Sequence, residues 1–378
     1  MKDKQILIKI DKSIFACLIY FIWIFLLQMK LMVIPNFHIS LALLGIVVLF
    51  FVIIYRVQSI VNIKYSYKKL MLELLFLFIS FLVSFHSTIS SVNIFASSLM
   101  ICFFNDVDEN KLFKTFLVSS ALTIFLTVLL CKLKILPNNI YVDGNYVRNS
   151  LGFIYASYGS TLVFYFTAIY IVVRKYSITY IELLGLMFLN IYFYKSTFTL
   201  DPFIFGMLLI IFSFFEKLLK ISRRITNISI FKFFITNIFP FSFVFLIFLM
   251  YFSPRDIFFK INTLVSGRLD LSVRAMQTYG ISLLGTKLPF STLSSSSYFY
   301  VDSFYIQTLL LYGVVFFVII MMLFTVAMKN AIHKKHYFLT MVLVAVALES
   351  IFDPQALWLW YSPVGFVLGK WFCTKESI

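Results

Sequence analysis

Apolar runs long enough to cross a bilayer recur along this chain, and they leave few folds open to it. A spanning helix needs about 20 apolar residues, because only a helix pairs every backbone N–H and C=O internally where water is absent. Apolar runs bounded by charge predict helices over 14–34, 39–55, 70–85, 89–104, 112–131, 150–173, 180–194, 200–215, 233–252, 303–327, 337–352 and 355–372. The expected fold is therefore all-α, a polytopic integral membrane protein of about 12 transmembrane helices. It forms one domain over 1–378, with enlarged loops at 132–149 and 253–302 and no separate soluble domain.

The chain carries 32 Lys+Arg against 16 Asp+Glu, a net charge of +16. With 61% hydrophobic and only 13% charged residues, that excess points to topology and anionic-lipid contact, and not to nucleic acid. With the N-terminus inside, 22 of the 32 basic residues fall in inner segments, which places both termini in the cytoplasm. Lys2, Lys4, Lys9 and Lys12 precede the first apolar stretch as in a signal peptide. That stretch is long and more spans follow, so a retained helix is expected. Cys17, Cys102, Cys131 and Cys373 form no C-x-x-C pair, and His38, His86, His333 and His336 lack ligand spacing. No metal or other cofactor is expected.

Ten basic residues fall outside, and eight of these lie in 132–149 and 253–302. The second loop is too long for an idle connection. Within it, SGRLDLSVRAMQTYGISLL over 266–284 sets Leu269, Val273 and Met276 at helical spacing, with Arg268, Ser272 and Gln277 elsewhere around the turn. This predicts an amphipathic helix at the membrane surface, followed by a serine-rich strap at 291–297. No pair of matching halves is visible, and Glu73, Glu182 and Glu349 lie toward span ends, which argues against an ion-coupled transporter.

Arg148 opens RNSLGFIYASYG, ending at Gly159, and Arg274 opens RAMQTYGISLLG, ending at Gly285, with ten residues between Arg and Gly in each. A guanidinium in each loop suits an anionic, phosphate-bearing ligand. Plainer readings stand beside these. Asp270 and Arg274 are spaced for an i,i+4 ion pair, Arg148 for snorkelling, Asp302 for a helix N-cap, and Lys195 and Asp201 for a pair closing a hairpin.

The paired R-x10-G segments resemble the signature of the Wzy-type O-antigen and capsular polysaccharide polymerases, within the O-antigen polymerase/ligase superfamily. So do SGRLDLSVRAM, the LLG ending at Gly285, and VDSFYIQTLLLYGVVFF from Val301. This last segment is similar to the H-N-x-x-L…G stretch of the ligases, with Asp302 in the histidine position. The resemblance covers about 145–365 and departs at Tyr194-Lys195-Ser196, where relatives often show Ser-Arg-Thr; lysine there lacks the bidentate fork.

The resemblance implies a GT-C-like, metal-independent glycosyltransferase of the bacterial cytoplasmic membrane. It would transfer a growing undecaprenyl-diphosphate-linked oligosaccharide to the next lipid-linked unit, with a chain-length regulator and a flippase as possible partners. Arg148, Arg268 and Arg274 would hold the diphosphate, since fixed cations stabilise charge that develops on a leaving group. Asp302 would take the acceptor proton, with Asp270 and Asp353 as other candidates. Lys195, Tyr298, Tyr300 and Tyr305 would contact substrate, although interfacial aromatics also serve as membrane anchors. A ligase-type transferase and a lipid-linked oligosaccharide flippase are the competing functions; the first is disfavoured by Asp302 in place of histidine, the second by the lack of repeats.

Overall fold

A computed structural model describes residues 12–34, 41–60, 67–86, 91–143, 146–291 and 298–372. Lys2, Lys4, Lys9, His38, Cys373 and the serines of the strap after Ser291 lie outside the described residues. In chain order the elements are α1 (Lys12–Met29), α2 (Leu41–Ile60), α3 (Tyr67–His86), α4 (Ser91–Phe103), α5 (Glu109–Lys132), β1 (Ile140–Asp143), β2 (Tyr146–Asn149), α6 (Ala156–Arg174), α7 (Tyr180–Thr197) and α8 (Leu200–Leu219). There follow α9 (Ile221–Asn227), α10 (Ser229–Thr236), α11 (Ile238–Tyr251), α12 (Arg255–Leu264), α13 (Arg268–Tyr279), α14 (Phe304–His333), α15 (Tyr337–Glu349) and α16 (Gly365–Gly369).

Among the described residues, five helices are long and apolar enough to cross a membrane: Lys12–Met29, Glu109–Lys132, Ala156–Ser177, Leu200–Leu219 and Phe304–His333. The α10–α11 pair, bent by 73°, makes a sixth if taken as one span. Pro240 in the first turn of α11 explains the bend, since it has no N–H to continue the ladder from α10. Gly45–Val57, Ile94–Phe103 and Tyr337–Glu349 are shorter apolar helices. The chain is thus mostly helical, and these apolar helices point to a membrane protein.

Two expectations change. The helix expected over 355–372 is a 3-10 turn at Gln355–Leu357, further turns, and the five-residue α16. Pro354 and Pro363 remove backbone donors there. Irregular backbone that is buried needs partners from elsewhere in the protein, and here α1 supplies them. Tyr20 donates its hydroxyl to Leu359 O at 2.7 Å, and Gln28 Nε2 donates to Trp360 O at 2.8 Å.

The fold is also not purely α. In the 132–149 loop, β1 and β2 pair antiparallel, Ile140 opposite Asn149 and Asp143 opposite Tyr146. Only Gly144 and Asn145 separate the two strands. An Asp-Gly-Asn run between alternating residues is a strong hairpin signal that a search for apolar spans passes over.

The amphipathic stretch of the second loop forms α13, which buries Leu269, Ser272 and Ala275 and packs on α11 and α14. After α13 the chain runs without helix alongside α14, which breaks at Gly313 (φ 80°, ψ 170°). Residues 282–286 fill that break. Thr286 N donates to Leu310 O at 2.8 Å, Val314 N to Ser282 O at 3.0 Å and Val315 N to Leu283 O at 3.3 Å, so groups freed by the kink are answered from outside the helix. Two glycines permit the approach: a Cβ on Gly313 would lie 2.3 Å from Leu283 O, and one on Gly285 2.0 Å from Leu311 O. Gly313→Ala is therefore expected to cost about 1–3 kcal/mol as a strained left-handed residue. Gly185→Ala, inside α7 with open space for a Cβ, should instead stabilise by about 0.5–1 kcal/mol. Thermal melting of the two variants in one detergent checks this.

Gly159, by contrast, sits inside α6, where an added Cβ would lie 2.8 Å from the rings of Phe153 and Phe193. The two R-x10-G segments therefore share a spacing but no common local structure.

Candidate functional site

Four connections meet at one end of the helical bundle around a single guanidinium, that of Arg268. Gly267, left-handed at φ 82°, opens α13 and sets Arg268 at its first position, while Leu269, Ser272 and Ala275 hold the helix against the core. Arg268 Nη1 donates to Asp201 Oδ2, forming an ion pair, and to Phe352 O at 2.8 Å. Its Nε lies 3.5 Å from Asp302 Oδ2. Asp201 stands in the first turn of α8, where the helix N-terminus favours negative charge. Asp302 precedes α14, whose N-cap is Ser303, and Phe304 N donates to Ser350 O at 3.0 Å. The structure thus sets aside the N-cap reading of Asp302 and turns its carboxylate to Arg268.

Further carboxyls lie behind this pair. Asp353 accepts the Gln355 N–H at 2.9 Å and the Thr161 hydroxyl at 3.3 Å. Glu349, fully buried at the end of α15, accepts from the Tyr165 hydroxyl at 3.3 Å, and its Oε1 has no hydrogen-bond partner among the described residues. Burial pushes the Asp302 carboxyl above its ordinary range, against the opposing pull of Arg268. Burial likewise raises Asp353. Burial disfavours the charge on Arg268, but Asp201, Asp302 and Asp353 outweigh it and hold the guanidinium charged. Asp302 and Asp353 thus both hold a proton more tightly than an ordinary carboxylate.

The other expected site residues divide. Arg148, on β2, donates from Nε to Thr197 O at 3.0 Å and sits 5.8 Å over the Tyr155 ring. It braces the α7–α8 turn that delivers Asp201, so it borders the cluster and is not a snorkelling side chain. Arg274 stays apart, two-thirds exposed and paired at 2.5 Å with Asp270 one turn away, which is the i,i+4 alternative. Lys195 is exposed on α7, and Asp201 pairs with Arg268, not with Lys195.

Tyr298 is exposed, and Tyr300 rests 4.7 Å from the Phe290 ring, so both remain at the approach to Asp302. Tyr305 does not. It is fully buried and donates to Ala347 O at 2.7 Å, tying α14 to α15, which removes it from any contact with sugar.

Sequence reasoning missed Asp201 as the partner of Arg268, and Glu349 as part of the cluster. The two-residue turn between α7 and α8 was the available signal for Asp201, since it leaves that carboxylate at a helix start beside the loops. Among the described residues, no group of three or more His, Cys, Asp or Glu is arranged to hold a metal ion. A guanidinium flanked by carboxyls of raised proton affinity can bind a phosphate-bearing group and accept a proton beside it. No family model, curated protein or solved structure matches the chain.

Proposed function

We propose that the chain is a polysaccharide polymerase working at the outer face of a bacterial cytoplasmic membrane, a GT-C-like protein crossing it about twelve times with both termini inside. The observation that supports this most is the Arg268–Asp302 pair, a fixed cation beside a carboxyl of raised proton affinity.

In this reading Arg268, with Arg148 at the margin, receives the diphosphate of the lipid-linked glycan. A hydroxyl of the incoming unit attacks the anomeric carbon of the donor. The C–O bond to the diphosphate breaks with its electron pair passing to the leaving group, and the hydroxyl proton goes to Asp302. The products are an extended glycan on the acceptor's carrier and free undecaprenyl diphosphate. Charge grows on the diphosphate as the bond breaks, so a guanidinium held in place stabilises the transition state more than the ground state. Tyr298 and Tyr300 offer faces for sugar packing, and exposed Arg274 serves lipid headgroups.

The test is to incubate purified protein with undecaprenyl-diphosphate-linked repeat units. A ladder of products is expected, and intact units after incubation with inserted, folded protein would overturn the proposal. A proton-coupled flippase is the second reading, favoured by the fully buried Glu349; it predicts movement of intact units between leaflets and no new glycosidic bond.

Orientation has its own test. In a cysteine-free background, Lys287→Cys, beside the cluster's loops, should react with an impermeant maleimide from outside, and Lys334→Cys only after permeabilisation. The reverse order would invert the protein and remove the outer-face site.

A further inference from the structure

At the end of the bundle opposite Arg268, three lysines hold backbone conformations that lysine does not favour. Lys175 after α6 has φ 50° and ψ −134°, Lys220 between α8 and α9 has φ 50° and ψ 45°, and Lys335 after α14 has φ 56°. Glycine or asparagine takes such positions with less strain, so turn geometry does not explain the choice of lysine. All three face the same place. Lys175 and Lys335 line a crevice with Glu109, Tyr176, His336 and Tyr337, and Lys220 joins Tyr176, Lys335 and Tyr337 in its continuation.

The nearby acid Glu216 is already engaged, accepting from the Tyr176 hydroxyl and from Ser222 N, each at 2.7 Å. That leaves three lysines against the one lining carboxylate, Glu109. Burial, and then the charge of Lys175, hold His336 below its ordinary pKa, in keeping with cations crowded at this spot. The neighbouring helix surfaces are apolar and bare: Ile181 is 81% exposed, and Leu218 and Leu219 are about half exposed.

We propose that the Lys175–Lys220–Lys335 crevice binds the phosphate headgroup of an anionic phospholipid, whose acyl chains lie along Ile181, Leu218 and Leu219. Lysine ammoniums are point-charge phosphate ligands, and the tyrosines at the rim suit the headgroup level of a bilayer. The lipid is favoured over free phosphate because the cations adjoin exposed apolar side chains.

The experiment uses full-length protein in dodecylmaltoside, titrated with phosphatidylglycerol, phosphatidylcholine or inorganic phosphate while bound lipid is read by native mass spectrometry. Wild type should retain phosphatidylglycerol at least tenfold more tightly than phosphatidylcholine. The triple variant Lys175→Gly, Lys220→Gly, Lys335→Gly should lose that preference, while its lipid-free melting temperature holds or rises because glycine relieves the turns. A merely structural role for the lysines predicts the opposite pair of results, lowered melting with the preference intact, and would overturn the proposal. Inorganic phosphate displacing phosphatidylglycerol at equal concentration would also overturn it. If the triple variant does not fold, Lys335→Glu alone must weaken phosphatidylglycerol retention several-fold, and unchanged retention would end the proposal.

Discussion

Arg268→Lys is expected to slow single-turnover glycan transfer about 10²–10³-fold, the usual loss when one preorganised donor to a developing anion is removed. Lysine keeps the charge but presents no planar fork, and it cannot engage Asp201, the Phe352 carbonyl and Asp302 from one head group as the guanidinium does. Arg268→Ala adds a folding defect. It strands Asp201, whose side chain is 13% exposed, at a cost of about 3 kcal/mol, the lower part of the range for breaking a buried pair. Arg274→Lys is the control: its exposed i,i+4 pair with Asp270 is worth about 0.5 kcal/mol at most, so stability and transfer should stay near normal. Comparable losses in Arg274→Lys and Arg268→Lys would dissolve the distinction drawn between the two arginines.

Asp302→Asn separates chemistry from architecture. Ser303 is the N-cap of α14, so asparagine at 302 should leave the helix start intact while turnover falls about 10²–10⁴-fold, the contribution of a positioned base. Normal transfer by this variant would end the general-base assignment and move the search to Asp353. The pH dependence follows from the upward shift of Asp302. Transfer should rise with pH through a range above that of an ordinary carboxylate, because the base must lose its proton. Stability runs the other way. The folded carboxyl holds its proton more tightly than the unfolded one, so its contribution is present at low pH and lost as pH rises from the ordinary carboxylate pKa through the raised one. An acid limb at the ordinary carboxylate position, unchanged in Asp302→Asn, would contradict this assignment.

Local physics made part of this legible in the sequence. Apolar length marks most of the helices, and the spacing of Leu269, Val273 and Met276 marks α13, because both signals repeat within a few turns. Arg268 and Asp302 stood out as charges in the second enlarged loop. Their meeting with Asp201 did not, since that carboxylate comes from another helix, 67 residues before Arg268, and no local pattern encodes the distance. Tyr305 read as an interfacial aromatic because its sequence neighbours do, and only the packing of α15 buries it. The break at Gly313 was hidden for a related reason: an apolar run through a kink looks like one through a straight helix, and the residues that answer it, 282–286, lie outside that helix.

The irregular segment at 350–372 bears on how the protein enters its membrane. A helix carries its own hydrogen bonds and can leave the translocon alone, whereas this stretch cannot move into lipid without exposing unanswered carbonyls. Its partners, Tyr20 and Gln28, belong to the first described helix and are made more than 330 residues earlier. The α1 helix must therefore wait, inserted but incompletely packed, through the synthesis of nearly the whole chain. Closure of the bundle at this seam then comes late, when residues 350–372 are drawn in against helices already made. Without the backbone at Leu359 and Trp360, Tyr20 and Gln28 of α1 would each lose an acceptor and face an unfilled seam.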